Sequence, residues 1–529
     1  MEQTNPGTKE RRGLSLLDKS KKGLIRTVFS RTGLVTCLLL FNFGLLFLLG
    51  WKFSEFMPQI FGSTAVFTVI MVLVLLNSPH DPTAKVTWLA IIMAAPVFGS
   101  LLYLYTRSDF GHRALKKRSR AVIRATQKLV EQDPQTEENF RRQDEGAANL
   151  ARYLHRVSDF PTYRDTDVAY FPTGEAAYAQ LLQALEEAKE FIFLEYFIVE
   201  EGAMWGQILE ILARKAGEGI EVRLLYDGTC EFMLLPRDYP EKLRRLGIQC
   251  KVFAPVTPFV STHYNYRDHR KIAIIDGHTA FTGGINLADE YINEKVRFGH
   301  WKDTALMLRG EAVRGFTLMF LQMWSLEEKD LNFTPYLTRP LPPVGGSGGY
   351  VIPYGDCPLE QRRVAQQVYM DILNRAKRYV HIMTPYLILD GEMENALCYA
   401  AERGVDVRII LPGIPDKKIP YALAKTHYPA LLEAGVRIYE YAPGFVHAKS
   451  FVCDGLEAVV GTINLDYRSL YHHFECAAYL YGGDCIAEIE ADFAATEQLC
   501  RRVTRETVRS EKLLTRMTGF LLKVIAPLL

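Results

Sequence analysis

Apolar and polar positions divide the chain into unlike stretches. Residues 1–32 are polar and basic, with Lys9, Arg11, Arg12, Lys19, Lys21, Lys22, Arg26 and Arg31 set against Glu2, Glu10 and Asp18. Residues 33–51 carry no charge and are rich in Leu and Phe. As a helix at ~1.5 Å per residue this run spans roughly 28 Å, close to the ~30 Å hydrocarbon core of a bilayer. Residues 57–77 form a second apolar run. Residues 86–106 form a third, with Pro96 and Gly99 near its middle and Trp88, Tyr103 and Tyr105 towards its ends, where aromatic rings suit the headgroup level. A signal peptide fits less well, given the long polar start, the lack of a small-x-small cleavage site and the second apolar run. The pattern predicts N-terminal transmembrane helices. The basic arm and the cluster Arg107, Arg113, Lys116, Lys117, Arg118 and Arg120 both favour the cytoplasmic side, which three full crossings cannot satisfy. The expectation is therefore a two-span hairpin plus a third segment, broken at Pro96, that dips in and returns; three full spans is the rival.

Beyond a charged helical connector the period changes. Residues 191–199 are an apolar run of strand length, 204–216 have helical spacing, Gly219 is a stop, and 220–226 form a strand ending at Asp227-Gly228. Residues 379–389, 392–402, Gly404 and 405–411 repeat that order. Two matching β-α-β units predict an internal duplication, each copy about 180 residues, a normal domain size. Residues 333–349 hold Pro335, Pro340, Pro342 and Pro343 and end Gly-Gly-Ser-Gly-Gly, a linker composition. The expected order is a basic cytoplasmic arm (1–32), a membrane region (33–106), a connector (107–156), one α/β domain (157–332), a linker (333–349) and a second α/β domain with a C-terminal helix (350–529). In the tail, 506–529, basic residues alternate with Leu, Met, Phe and Ile at helical spacing; it reads either as a helix on the membrane or as one docked on the core, with docking the working expectation.

Composition narrows the chemistry. The 529 residues carry a net charge of +1, so there is no global field towards nucleic acid. Nine cysteines are scattered with no C-x-x-C pair, which argues against a zinc site. Dispersed thiols fit a reducing compartment, hence cytoplasmic catalytic domains, but ordinary small core residues fit equally.

One stretch occurs twice. His269-Arg270-Lys271 runs to Asp276-Gly277 and then Gly283-Gly284-Ile285-Asn286; His447-Ala448-Lys449 runs to Asp454-Gly455 and then Gly461-Thr462-Ile463-Asn464. A lone His-x-Lys would be an ordinary polar-faced strand, but two copies with matching Asp, Gly and Asn would not. Asp-Gly predicts a tight hairpin turn, with His and Lys on one strand face and the small pairs Gly283-Gly284 and Gly461-Thr462 beside each histidine, leaving room for a phosphoryl group. Asp276 lies seven residues from His269, roughly 23 Å along a strand, so Asp276 and Asp454 are assigned to the turn and to structural ion pairs. Asp303 and Glu475, each on the next strand of its repeat, are the candidates to orient the histidines. One imidazole can attack phosphorus while the other protonates the leaving oxygen. Two lysines and two amides, Asn286 and Asn464, can stabilise the phosphoryl oxygens. This needs no metal or cofactor. His263 reads as a surface-loop residue, with a place in the cleft as the alternative.

His269-x-Lys271-x4-Asp276 and His447-x-Lys449-x4-Asp454 resemble the paired HKD motifs of the phospholipase D superfamily. Within it the chain is similar to the bacterial cardiolipin synthases, on the N-terminal apolar segments, Gly283 to Asn286 followed by Ala288-Asp289-Glu290-Tyr291, Trp301-Lys302-Asp303-Thr304, Asn464-Leu465-Asp466-x-Arg468-Ser469 and the ending Pro527-Leu528-Leu529. The resemblance implies two similar phospholipase D-like α/β domains in a pseudo-twofold pair sharing one site. It implies joining of two phosphatidylglycerols into cardiolipin with release of glycerol, without a cofactor, in a multi-pass protein of the cell membrane. It also implies that His269 and His447 are nucleophile and general acid in either order, that Lys271, Lys449, Asn286 and Asn464 bind phosphate, and that Asp303 and Glu475 sit behind the histidines. A membrane-bound phospholipase D that hydrolyses is the alternative, and the residues do not separate the two. A soluble nuclease would have no use for residues 33–106.

Overall fold

The computed structural model describes residues 64–108, 112–126, 129–255, 266–345, 348–360 and 362–528, with parts of 40–55. The basic arm, most of the first apolar run and His263 lie outside these residues.

Three helices of 13 residues, Thr64–Leu76, Pro82–Ala94 and Pro96–Ser108, make up most of the described N-terminal region. Asp81 starts the second by accepting from the Thr83 and Ala84 amides. It stops at Ala95 (φ −143°, ψ 78°) because Pro96 has no N–H and disfavours a helical residue before it. The chain then folds back. A Cβ on Gly99 would stand 2.7 Å from the Ile91 carbonyl oxygen, so the third helix meets the second at a glycine. Each helix is about 20 Å long at ~1.5 Å per residue. Among the described residues no helix is long and apolar enough to cross a membrane. Within the described residues the apolar run 57–77 is helical over Thr64–Leu76, and the run 86–106 breaks at Pro96, as its sequence predicts.

Two sheets follow. The first comprises β1 (Thr166–Phe171), β2 (Phe191–Tyr196), β3 (Glu221–Asp227), β4 (Gln249–Phe253), β6 (Lys271–Ile275), β7 (Thr279–Gly283) and β9 (Ala305–Gly310), in the order β1-β9-β7-β6-β2-β3-β4. The second contains β10 (Tyr350–Asp356), β11 (Tyr379–Met383), β12 (Asp406–Pro412), β13 (Arg437–Tyr441), β15 (Ser450–Cys453), β16 (Glu457–Gly461), β17 (His473–Tyr481) and β18 (Cys500–Arg502). Its order, β10-β17-β16-β15-β11-β12-β13 with β18 outermost, repeats the first strand for strand. The parallel pairs β2–β3 and β11–β12 are joined through the helices Ala203–Gly217 and Gly391–Glu402, as parallel strands require. The duplication read from the sequence is present in the fold.

The two repeats share one interior. Phe193, Ile272 and Leu306 of the first belong to the same buried apolar cluster as Ile382, Val460 and Tyr479 of the second. Two short parallel pairings also cross between them. β5 (Arg267–Asp268) pairs with β17, and β8 (His300–Lys302) pairs with β14 (Gly444–Val446).

Candidate active site

Each repeated motif begins as the chain leaves one of these crossing strands. β5 delivers His269, whose amide donates to the Phe474 carbonyl (2.9 Å). β14 delivers His447, whose amide donates to the Lys302 carbonyl (2.7 Å). Phe474 and Lys302 immediately precede Glu475 and Asp303, so the backbone register sets each carboxylate beside the other repeat's histidine. His269 Nδ1 lies 2.9 Å from both Glu475 oxygens, and His447 Nδ1 lies 2.7 Å from Asp303 Oδ2. Asp303 and Glu475 thus face the histidines crosswise. A carboxylate accepts only, so each Nδ1 carries the hydrogen and each Nε2 keeps its lone pair.

The carboxylates are fully buried and further held. Glu475 accepts from the Thr462 hydroxyl, and Asp303 accepts from the Thr304 amide (2.9 Å) and the Trp301 indole N–H (3.4 Å). These contacts give the small residues a role towards the carboxylates as well. A Cβ on Gly284 would stand 1.9 Å from Asp303 Oδ1 and 2.9 Å from the His447 carbonyl oxygen. Gly284 therefore makes room for a carboxylate, and Thr462 supports one.

Lys271 Nζ donates to the His269 carbonyl (2.5 Å) and Lys449 Nζ to the His447 carbonyl. Burial pulls Lys271 down to about 8 and Lys449 to about 7, with the Lys271 charge lowering Lys449 further. Burial also holds His269 well below the usual imidazole range and brings His447 to about 4, with each motif's own lysine adding to the effect. Burial alone would raise Asp303 and Glu475, but contact with the histidines leaves both below the usual carboxylate range. The site therefore sets two neutral imidazoles on two carboxylates, beside two reluctant cations. An anionic phosphodiester between them raises the proton affinity of all four bases.

The motif aspartates stand away from this chemistry. Asp276 accepts from the Lys189, Glu190 and Phe191 amides (2.9, 2.7 and 2.9 Å). Asp454 accepts from the Lys377, Arg378 and Tyr379 amides, each at 2.8 Å. The expected carboxylate ion pairs are instead bonds to backbone N–H, tying the hairpin tip to the start of β2 or β11. Both residues sit at positive φ (52° and 54°) in the turn, followed by glycine at 69° and 70°.

The asparagines differ. Asn286 Oδ1 accepts from the Ile198 amide (3.0 Å) and its Nδ2 donates to the Tyr291 hydroxyl (2.8 Å), leaving one N–H for a ligand. Asn464 is buried with its Oδ1 unpartnered. Sequence reasoning missed an aromatic lining. Phe197 and His473 lie 5.0 and 5.3 Å from the His269 ring; Tyr291 and Trp301 lie 5.4 and 5.3 Å from the His447 ring. Trp301 and His473 each stand two residues before a carboxylate, and that shared offset was the available signal. His473 makes the pair of environments unequal. With His269 and Glu475 it forms the one trio among the described residues whose ligand atoms, within 4.8 Å of one another, could hold a metal ion.

Comparison with known proteins agrees with this picture. Residues 181–309 and 369–496 match the family model described as cardiolipin synthase, PLD-like domain, and 66–107 match phospholipase D-nuclease N-terminal. A Streptococcus mutans protein without an assigned function is 56% identical over 458 residues, covering 87% of this chain and 99% of that one. Cardiolipin synthases of Alkalihalophilus pseudofirmus and Geobacillus kaustophilus are 36% and 35% identical, over 91% and 88% of this chain and 95% and 93% of theirs. In fold, the crystal structure of phosphatidylserine synthase from Haemophilus influenzae aligns with a TM-score of 0.55 at 15% identity, covering 73% of this chain and 98% of that one.

Proposed function

Because the chain belongs to the cardiolipin synthase family of the phospholipase D superfamily, we propose that it is a phosphatidyltransferase converting two phosphatidylglycerols to cardiolipin and glycerol. The observation that carries the mechanism is the crossed pair of imidazoles, each with its Nδ1 on a buried carboxylate and a lysine beside it. In the first step one of His269 and His447 attacks phosphorus through Nε2. The phosphorus–oxygen bond to the terminal glycerol breaks, and the other imidazole, protonated in the presence of the anion, gives that oxygen its proton. A phosphatidyl-histidine remains. In the second step the now neutral imidazole takes a proton from the glycerol hydroxyl of a second phosphatidylglycerol. That oxygen displaces the histidine and forms cardiolipin. Lys271, Lys449 and the asparagine amides carry the charge of the non-bridging oxygens. Asp303 and Glu475 hold the Nδ1 tautomers, and Asp276 and Asp454 hold the hairpins.

Lipid substrates of this kind call for a protein at a membrane. Val66, Val69, Ile70, Leu73, Leu76, Val86 and Met93 of the N-terminal helices are exposed, an apolar surface that supports embedding of this region. In our reading residues 33–106 anchor a multi-pass protein of the cell membrane. The third segment turns back at Pro96, leaving both basic clusters and the catalytic domains, divided as 157–332 and 350–529, on the cytoplasmic side.

The test is product analysis with purified protein and phosphatidylglycerol alone. Cardiolipin and glycerol should appear in equal amounts. Phosphatidic acid as the main lipid product would overturn transfer in favour of hydrolysis.

A further inference from the structure

The C-terminal helix Leu513–Lys523 is docked on the protein and yet presents an apolar face outward. Its docking side is built around Gly519. A Cβ there would stand 2.6 Å from the Ala422 carbonyl oxygen and 2.7 Å from Thr426 Cγ2, so the helix lies directly on Lys418–Ala434. Past its end, the Thr87 hydroxyl donates to the Val524 carbonyl (2.6 Å), and Ala526 is buried with Leu423 and Tyr467.

The apolar residues away from Gly519 are exposed. Leu513, Leu514, Met517, Phe520, Leu521 and Val524 are 70, 77, 55, 74, 65 and 46% exposed. The spacing i, i+1, i+4, i+7, i+8, i+11 puts all six on one side. Single exposed apolar residues are ordinary; a continuous stripe along a fixed helix is not. The helix contains no acidic residue, and Lys512, Arg516 and Lys523 border the stripe. The nearest acid before it, Glu511, is engaged by Lys425. An open groove of about 760 Å³ runs beside the helix, walled by Tyr428, Val503 and Val508 of the body and by Leu513, Met517 and Phe520 of the stripe.

We propose that this helix is a second membrane contact, lying along an anionic phospholipid surface with the stripe among the acyl chains and the three cations at headgroup level. The inference rests on the membrane reading above. Three observations select lipid as the occupant. The cations on a helix without acids complement an anionic surface. The Thr87–Val524 bond ties the end of the helix to the N-terminal helices, which carry their own exposed apolar residues. A second copy of the chain on the same face would instead bring like charges together.

The test uses the full chain, reconstituted in phosphatidylcholine–phosphatidylglycerol vesicles. Phe520→Trp adds an emitter at an exposed position to a chain with five tryptophans, and the difference from wild type isolates its signal. With bromine-labelled lipid, residue 520 should lose about half or more of the added emission, as a ring buried at the acyl boundary would. In parallel, Leu514→Glu/Phe520→Glu should lower turnover on vesicles about tenfold and leave turnover in detergent micelles within about twofold, because only the bilayer needs the stripe. Protein that floats with vesicles while residue 520 stays unquenched would overturn this inference alone. Protein that does not float would overturn the membrane reading with it. An emission change at residue 520 that follows protein concentration and ignores the lipid label would assign the face to a second copy and also overturn the proposal.

Discussion

Replacing Glu475 by glutamine removes one charge from a fully buried position and leaves the shape almost unchanged. In the wild type both carboxylate oxygens lie 2.9 Å from His269 Nδ1, and the Thr462 hydroxyl donates to the same group. A hydrogen bond to a charged partner contributes about 1.5–3 kcal/mol. At about 1.4 kcal/mol per decade of rate, its loss lowers turnover roughly 10- to 150-fold. The upper end applies if the glutamine presents its NH2 group to Nδ1, because the imidazole then moves its hydrogen to Nε2 and loses the lone pair that reacts. KM should change little, since the carboxylate lies behind the imidazole. Asp303→Asn should do the same to His447. The assay is initial rate against phosphatidylglycerol in mixed micelles, with circular dichroism and thermal melting to confirm the fold. A Glu475→Gln enzyme that turns over within threefold of wild type would refute the crossed support of the histidines.

Other outcomes follow from the same geometry. Asp454→Ala strips the acceptor from three backbone amides, at about 1–3 kcal/mol for each donor left unsatisfied, so it should lower thermal stability by several degrees while the folded fraction turns over within about threefold of wild type. A loss of turnover by two or more orders of magnitude with an unchanged melting point would place Asp454 in the chemistry instead. The lysines lose their charge as pH rises through about 7 and about 8, so kcat/KM should fall on the alkaline side in that range, and Lys449→Arg should move that limb upward; an unmoved limb would remove Lys449 from its cause. Activity should survive EDTA. Loss on chelation with recovery on adding a divalent ion would give the His269, His473 and Glu475 trio a metal-binding role.

Much of this was legible in the sequence because it is local. The Asp-Gly turns, the β-α-β periodicity and the doubled motif each depend on residues a few positions apart, and the sheets carry them in matching order. What was not legible is long-range. Glu475 and His269 are 206 residues apart and Asp303 and His447 are 144 apart, and only the crossing strands β5 and β14 decide which carboxylate meets which imidazole. Hairpin pairing brings Gly283 and Gly284 alongside residues 269–271, as read, but could not show that Gly284 also lies against Asp303 and the His447 carbonyl. In the N-terminal region hydropathy marked the apolar runs and Pro96 marked the break in the third, while the side-chain cap at Asp81 went unread.

The most direct test of a shared, two-step site is capture of its intermediate. Wild-type protein mixed with phosphatidylglycerol, quenched within a turnover, digested and examined by mass spectrometry should carry one phosphatidyl group on His269 or His447. The adduct should vanish on addition of further phosphatidylglycerol, and alanine at the labelled histidine should abolish it. Cardiolipin formed at a normal rate with no histidine adduct, or with either histidine replaced by alanine, would contradict the account.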